Sequence, residues 1–149
     1  MAIDVILVGT DFGPQSRHAL DWTIDLARRL GSKIVIAHAF DLPIYGLPDA
    51  SLLVDAKTAS RLTTEAQKAL DGEVGRVRDR GIDIQAELVQ GDAREIIPSL
   101  ATRLGAGLVV VGTHGRHGVA RALLGSVAEN IARASTIPVV VVPHPAHAS

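Results

Sequence analysis

The sequence predicts an α/β fold: one domain built on a doubly wound sheet of five parallel strands, with helices on both faces. Short, wholly apolar runs (Val5-Ile6-Leu7-Val8, Leu108-Val109-Val110-Val111, Val139-Val140-Val141-Val142) read as strands, the first as a buried parallel strand. Segments with apolar residues at helical spacing alternate with them, as βαβ units require. The chain's 149 residues suit one domain with a sizeable core.

The elements follow in order. Val5 to Val8 is the first strand. Gly13-Pro14 opens a helix, because Pro is tolerated at the first helical position. Ala19, Leu20, Thr23, Ile24, Ala27 and Leu30 recur at helical spacing, and Gly31 follows the basic last turn as a stop. Lys33 to Ala39 is the second strand, and Asp41 to Pro48, with two prolines and a glycine, is a loop. From about Ser51 to Arg80, Leu52, Ala56, Ala59, Leu62, Ala66, Leu70, Val74 and Val77 mark a second helix stopped by Gly81. Gly72 and Gly75 weaken its latter half by about 1 kcal/mol each relative to Ala. Ile82 to Val89 alternates apolar and polar residues, which suits a strand near a sheet edge. Asp92, three residues before Glu95, is an N-cap candidate, and Pro98 predicts a kink or a shifted start in the helix that follows. Leu108 to Val111 is the fourth strand. Ser126 and Glu129 have capping-box spacing at the start of the last helix. Val139 to Val142, behind Pro138, is the fifth strand. Residues 1–143 form the domain and 144–149 a flexible tail, with no internal repeat and no second domain.

Composition narrows the function classes. Aromatic residues make up only 3%, so the core is aliphatic and there are few platforms for stacking single-stranded bases. A net charge of -1 argues against a broad electrostatic grip on nucleic acid or membrane. Without cysteine there is neither a disulfide framework nor a thiolate-zinc site. The start, MAIDVILVG, lacks a basic n-region and reads as a strand, and no run approaches the roughly 18 apolar residues of a membrane span. The expectation is a cytoplasmic domain with neither nucleic acid nor membrane as partner.

Two strand ends carry unusual loops: Gly9-Thr10-Asp11 after the first, and GTHGRHGVARALLGS, residues 112–126, after the fourth. Ligands of open parallel sheets bind beyond the carboxyl ends of the strands where strand order reverses. Both loops meet in one crevice if the first and fourth strands are neighbours, which the pattern alone does not establish. Glycines let backbone N–H groups approach an anion, Gly125-Ser126 stands at a helix N-terminus, and Arg116 or Arg121 offers positive charge. The same residues also fit a tight turn capped by Ser126. The loop is neither a Walker A motif, since no lysine precedes Ser126, nor G-x-G-x-x-G, since the glycines fall at 112, 115 and 118.

Gly112, Gly115, Gly125 and Ser126, with two and nine residues in the intervals, match the signature of the ATP-binding branch of the universal stress protein family, which this sequence resembles. The likeness continues into LLGSVAENIARASTIPVVVVP, and ILVGTDFGPQSRHALDWTIDLARRLGSKIVIAHAF and QGDAREI extend it from Ile3 to Pro143. The resemblance implies a strand order of 3-2-1-4-5, which makes the first and fourth strands neighbours. It implies that Asp11, beside Thr10, contacts adenine or ribose, that the backbone of Ala39 reads the adenine edge, and that Val111 lines the base pocket. Gly112, Gly115, Gly125, Ser126 and the Val127 N–H then hold ribose and phosphates, with Arg116 nearby and Mg²⁺ accompanying ATP. Gly9 stands where many members have proline. The resemblance also implies a homodimer through Val139, Val140, Val141 and Val142, and an edge strand of this kind is an association hazard unless covered.

Binding ATP and turning it over are separate questions. Phosphoryl transfer needs neutralised phosphate charge and an oriented nucleophile. Asp11, Arg116, Arg121 and the hydroxyls of Thr113 and Ser126 are candidates, but there is no P-loop lysine and no second acidic metal ligand. The reading is therefore a stress-response nucleotide sensor or interaction module with little hydrolysis, whose regulatory protein partner the sequence does not name. A slow ATPase or autophosphorylating protein, or a module for AMP or a cyclic nucleotide, is the alternative. His114 and His117 read as solvated loop residues, His38 as a packed and hydrogen-bonded histidine, and His144 and His147 as a pair lacking a third metal ligand. Arg76, Arg78 and Arg80 read as a solvated helix face.

Overall fold

The computed structural model describes residues 2–41, 56–113 and 124–145. The elements run β1 (Val5–Gly9), α1 (Pro14–Leu30), β2 (Lys33–Phe40), α2 (Ala56–Val77), a 3-10 turn (Arg78–Arg80), β3 (Ile84–Gln90), α3 (Ala93–Leu104), β4 (Leu108–Gly112), α4 (Ser126–Ala134) and β5 (Val139–Val142). The five strands form one sheet in the order β3-β2-β1-β4-β5, and each neighbouring pair is parallel. The alternating strand is indeed at an edge. Ile6 pairs with Leu108 and Val8 with Val110, so β1 and β4 are neighbours, and the chain's direction across the sheet reverses between them.

Strand alternation divides the core in two. Ile6, Val8, Ile34, Ile36, Leu108 and Val110 pack against Leu20 and Ile24 of α1 and Leu70 and Val77 of α2. Leu7, Val35, Ala37, Val109 and Val111 face the other way, onto Ile97, Leu100 and Ala101 of α3 and Ala128 and Ile131 of α4. Each fully buried aliphatic side chain contributes about 1.5–3 kcal/mol. This two-sided burial explains why the central strands are apolar at every position.

Helix boundaries follow local chemistry. Gly13 is the N-cap of α1 with Pro14 at its first position, and Gly31, in the left-handed conformation at φ 70, returns its N–H to Ala27 O. Asp92 caps α3, its side chain accepting from the Arg94 N–H at 2.9 Å. The helix starts where the sequence places it and continues through Pro98 to Leu104. Pro98 has no N–H to return to the Arg94 carbonyl, but burial of Ile97, Leu100 and Ala101 keeps the segment helical.

α1 and α2 are joined by ion pairs. The Glu73 carboxylate, 4% exposed, accepts from Arg17 at 2.9 Å and Arg76 at 3.2 Å, while Arg76 and Arg80 also reach Asp21 at 3.1 and 3.6 Å. Arg76 and Arg80 thus tie α2 and its following turn to α1 instead of forming a merely solvated face. Gly72 and Gly75 of α2 have open space where a Cβ would stand. Gly72→Ala and Gly75→Ala are each expected to stabilise the protein by up to about 1 kcal/mol in urea unfolding.

Candidate functional site

The carboxyl ends of β1, β2 and β4 and the first turns of α3 and α4 enclose a cavity of 220 Å³. Thr10, Asp11, Ala39, Val111, Gly112, Gly125, Ser126 and Val127, all singled out from sequence, line it together. Gly115 and Arg116 lie outside the described residues, as do His114, His117, Arg121 and His147. Gly9, Ala37, His38 and Thr113 line it as well, and Ser16, Ala93, Ile97, Ala128 and Ile131 do so without having been expected there.

The loop after β1 is a set of short-range hydrogen bonds. Asp11 Oδ1 accepts from the Gly13 N–H at 2.9 Å and from Ser16 Oγ at 2.7 Å, and Ser16 Oγ accepts from the Asp11 N–H at 3.1 Å. Ser16 is 6% exposed, so the first turn of α1 fixes the Asp11 carboxylate at the cleft. Phe12, at φ 67, reverses the chain between them, with its N–H on Thr10 Oγ1 at 3.0 Å. His38 is the hydrogen-bonded histidine that the sequence suggests: its Nδ1 stands 2.8 Å from the Thr10 carbonyl oxygen, and its ring packs on Phe12 at 4.3 Å.

β2 supplies the cleft with backbone groups. The Lys33 N–H donates to Asp4 O and the Thr10 N–H to Ala37 O, both at 2.9 Å, so odd residues of β2 face β1. Even residues face β3, as Ile34 and Phe40 do in their bonds to Asp83 and Gly91. Ala39 therefore turns its N–H and C=O towards the space beyond the end of β1, inside the cavity.

At the opposite wall, the Gly125 N–H donates to Thr113 O at 2.7 Å, which brings the end of β4 and the start of α4 together. Gly125, with no side chain to offer, is the N-cap of α4, and Ser126 is already its first helical residue. The capping box expected of Ser126 and Glu129 does not form: Glu129 pairs with Arg133 at 2.8 Å, and Asn130 Nδ2 donates to Ser126 O at 2.7 Å. A capping serine must stand outside the helix in an extended conformation, and Ser126 stands inside it. The first-turn N–H groups of Ser126, Val127 and Ala128, which have no intrahelical acceptors, border the cavity at the positive end of the helix dipole.

Beside the cleft, the Arg94 side chain and backbone N–H lower the Asp92 carboxyl to about 2. A depressed folded-state value adds stability above the unfolded pKa, and that stability is lost as pH falls through the folded one. The stability difference between wild type and Asp92→Asn in urea unfolding is expected to be constant above about pH 4 and to shrink progressively from there towards pH 2.

Comparison with known proteins extends the resemblance. The model of the universal stress protein family matches residues 2–143. Universal stress protein MJ0531 of Methanocaldococcus jannaschii is 30% identical over 141 residues, 94% of this chain and 82% of that protein. Mycobacterium tuberculosis universal stress protein Rv2005c is 32% identical, but this chain spans only 44% of its length. Among solved structures, protein MJ0577 superposes with a TM-score of 0.83 at 25% identity, covering 98% of this chain and 99% of that one. A universal stress protein in complex with cAMP does so at 0.72 and 28% identity, covering 96% and 98%. A family match over nearly every residue and a shared fold lead to one conclusion: this chain belongs to the universal stress protein family.

Proposed function

We propose that the cleft binds an adenine nucleotide, ATP with Mg²⁺, and that the protein acts as a homodimeric nucleotide-dependent regulator with little hydrolysis. One observation carries the reading: the unladdered backbone edge of Ala39 and the N-terminus of α4 open onto the same cavity. The first suits a base edge and the second a phosphate, while Val111 and Ile97 give the base apolar walls and Asp11 stands ready for a ribose hydroxyl. Gly115 belongs to the phosphate end on the strength of the signature, and Arg116, next to it in sequence, offers positive charge there. Mg²⁺ would be held chiefly by phosphate oxygens and water, because the described residues contain no cluster of three acidic or imidazole groups. With no P-loop lysine and no second acidic metal ligand recognisable in the sequence, efficient phosphoryl transfer is disfavoured.

The dimer reading rests on β5, which ends the sheet and leaves Val139 to Val141 only half-buried. Pairing with a second β5 would complete the backbone hydrogen bonding of that edge. The cytoplasm suits such a regulator, and no helix among the described residues is long and apolar enough to cross a membrane. AMP or a cyclic nucleotide is the second reading, favoured by the related protein solved with cAMP.

Thermal unfolding at fixed protein concentration, with Mg-ATP, AMP, cAMP or GTP, tests all of this. A ligand at 100 times its dissociation constant adds about 2.7 kcal/mol, so ATP is expected to raise the midpoint by several degrees and GTP to leave it unchanged. A larger shift with cAMP than with ATP transfers the assignment to the cyclic nucleotide, and no shift with any adenine nucleotide overturns it. Sedimentation of the same samples tests the dimer.

A further inference from the structure

The hydrogen-bond ladder between β1 and β2 stops one rung early, and a side chain stands where the missing rung would be. In a regular parallel ladder, Thr10 N–H to Ala37 O is followed by Ala39 N–H to Thr10 O. The first bond is present at 2.9 Å. At the second position the Thr10 carbonyl meets His38 Nδ1 instead, at 2.8 Å. A carbonyl only accepts, so Nδ1 carries the proton and donates. The imidazole is held in this pose by Phe12, whose ring lies 4.3 Å away at an angle of 42°. Phe12 belongs with the core on the α1 side of the sheet, opposite the α3 and α4 side on which Val111, Ile97 and Ile131 line the cavity, while His38 itself also reaches the cavity lining.

We infer that His38 is a positioning residue that keeps the ligand-reading edge of β2 open. By drawing the Thr10 carbonyl towards its Nδ1–H, it holds that oxygen out of line with the Ala39 N–H, so the next rung stays open and the Ala39 N–H and C=O remain side by side as a donor and an acceptor. This pair matches an adenine edge, where ring nitrogen N1 accepts and the N6 amino group donates. Guanine presents a donor at N1 and an acceptor at O6, which reverses both contacts and leaves buried polar groups unpaired. The inference deepens the adenine-nucleotide reading of the cleft and rests on it for the base, though not for the ladder.

The test compares His38→Asn, whose amide can still donate to Thr10, with His38→Leu, which has similar bulk and no donor. Ala39 amide hydrogen exchange is read in the ligand-free protein, and ATP and GTP affinities are read by calorimetry. Ala39 is expected to exchange quickly in wild type and His38→Asn and at least about tenfold more slowly in His38→Leu, where the rung closes. ATP affinity falls at least about tenfold in His38→Leu and within about threefold in His38→Asn, the size of effect expected for one buried hydrogen-bond donor lost to the ligand. The ring ¹⁵N spectrum at mildly alkaline pH shows the proton on Nδ1. A folded His38→Leu protein with wild-type Ala39 exchange and wild-type ATP affinity overturns the role of His38 while leaving nucleotide binding intact. Slowed Ala39 exchange in His38→Leu, with no adenine nucleotide bound by wild type, supports the ladder role and overturns the base reading.

Discussion

Gly112→Ala is expected to melt several degrees below wild type and to bind ATP at least about tenfold more weakly. A Cβ at this position would stand 3.1 Å from the carbonyl oxygen of Gln15 and 3.2 Å from its carbonyl carbon. Both are backbone atoms in the first turn of α1, so no side-chain rotation relieves the crowding. Either the tip of β4 or the start of α1 must shift by a few tenths of an ångström. The start of α1 holds Asp11 through Ser16, and the residue after Gly112 anchors the Gly125 N–H at 2.7 Å. One methyl group therefore disturbs the two walls that the proposed nucleotide spans. Overpacking of this kind costs roughly 1–3 kcal/mol, at about 2–4 °C per kcal/mol for a chain near this size. Gly72→Ala is the control, because its Cβ would meet open space on α2, away from the cleft. Scanning calorimetry and titration calorimetry on the two variants separate the outcomes: equal ATP affinity in both would sever the close approach at Gly112 from ligand binding.

The contrast between these glycines shows what could be read in the sequence. Apolar runs gave away the buried strands because both faces of the central sheet are covered, and Gly31 and Asp92 marked helix ends by chemistry local to a few residues. Spacing of Gly112, Gly115, Gly125 and Ser126 pointed to an anion loop, yet only the resemblance placed β1 beside β4. Adjacency of strands a hundred residues apart leaves no periodic trace in either strand. Ser16 and Ile97 went unrecognised for the same reason: each reads as an ordinary helix position until α1 and α3 are packed at the strand ends. The Ser126–Glu129 spacing misled in the other direction. It matches a capping box by interval, but the helix begins one residue too early for Ser126 to serve as cap. The premature end of the β1–β2 ladder could not be foreseen at all, since it depends on the register that brings His38 to Thr10.

Ile97→Ala is expected to cost a large part of the protein's stability. Ile97 is 2% exposed and lies in the core shared by Leu7, Val109 and Val111, where α3 covers the central strands. Truncation of a buried Ile to Ala removes about 2–5 kcal/mol, the higher figures applying where the surroundings cannot collapse into the space. Collapse is restricted here because the neighbouring atoms belong to the sheet itself. The midpoint of thermal unfolding should fall by roughly 5–15 °C. Ile97→Val, which removes one methyl group, should cost only about 0.5–1.5 kcal/mol. Since Ile97 also lines the cavity, the pair separates its two duties. If the side chain serves only the core, ATP affinity is unchanged in Ile97→Val and the lost stability is the whole effect. If it is also the apolar wall against the base, Ile97→Val lowers ATP affinity measurably while the fold stays nearly as stable. The wall then acts on the ligand directly, because a protein that is still overwhelmingly folded cannot lose affinity through unfolding.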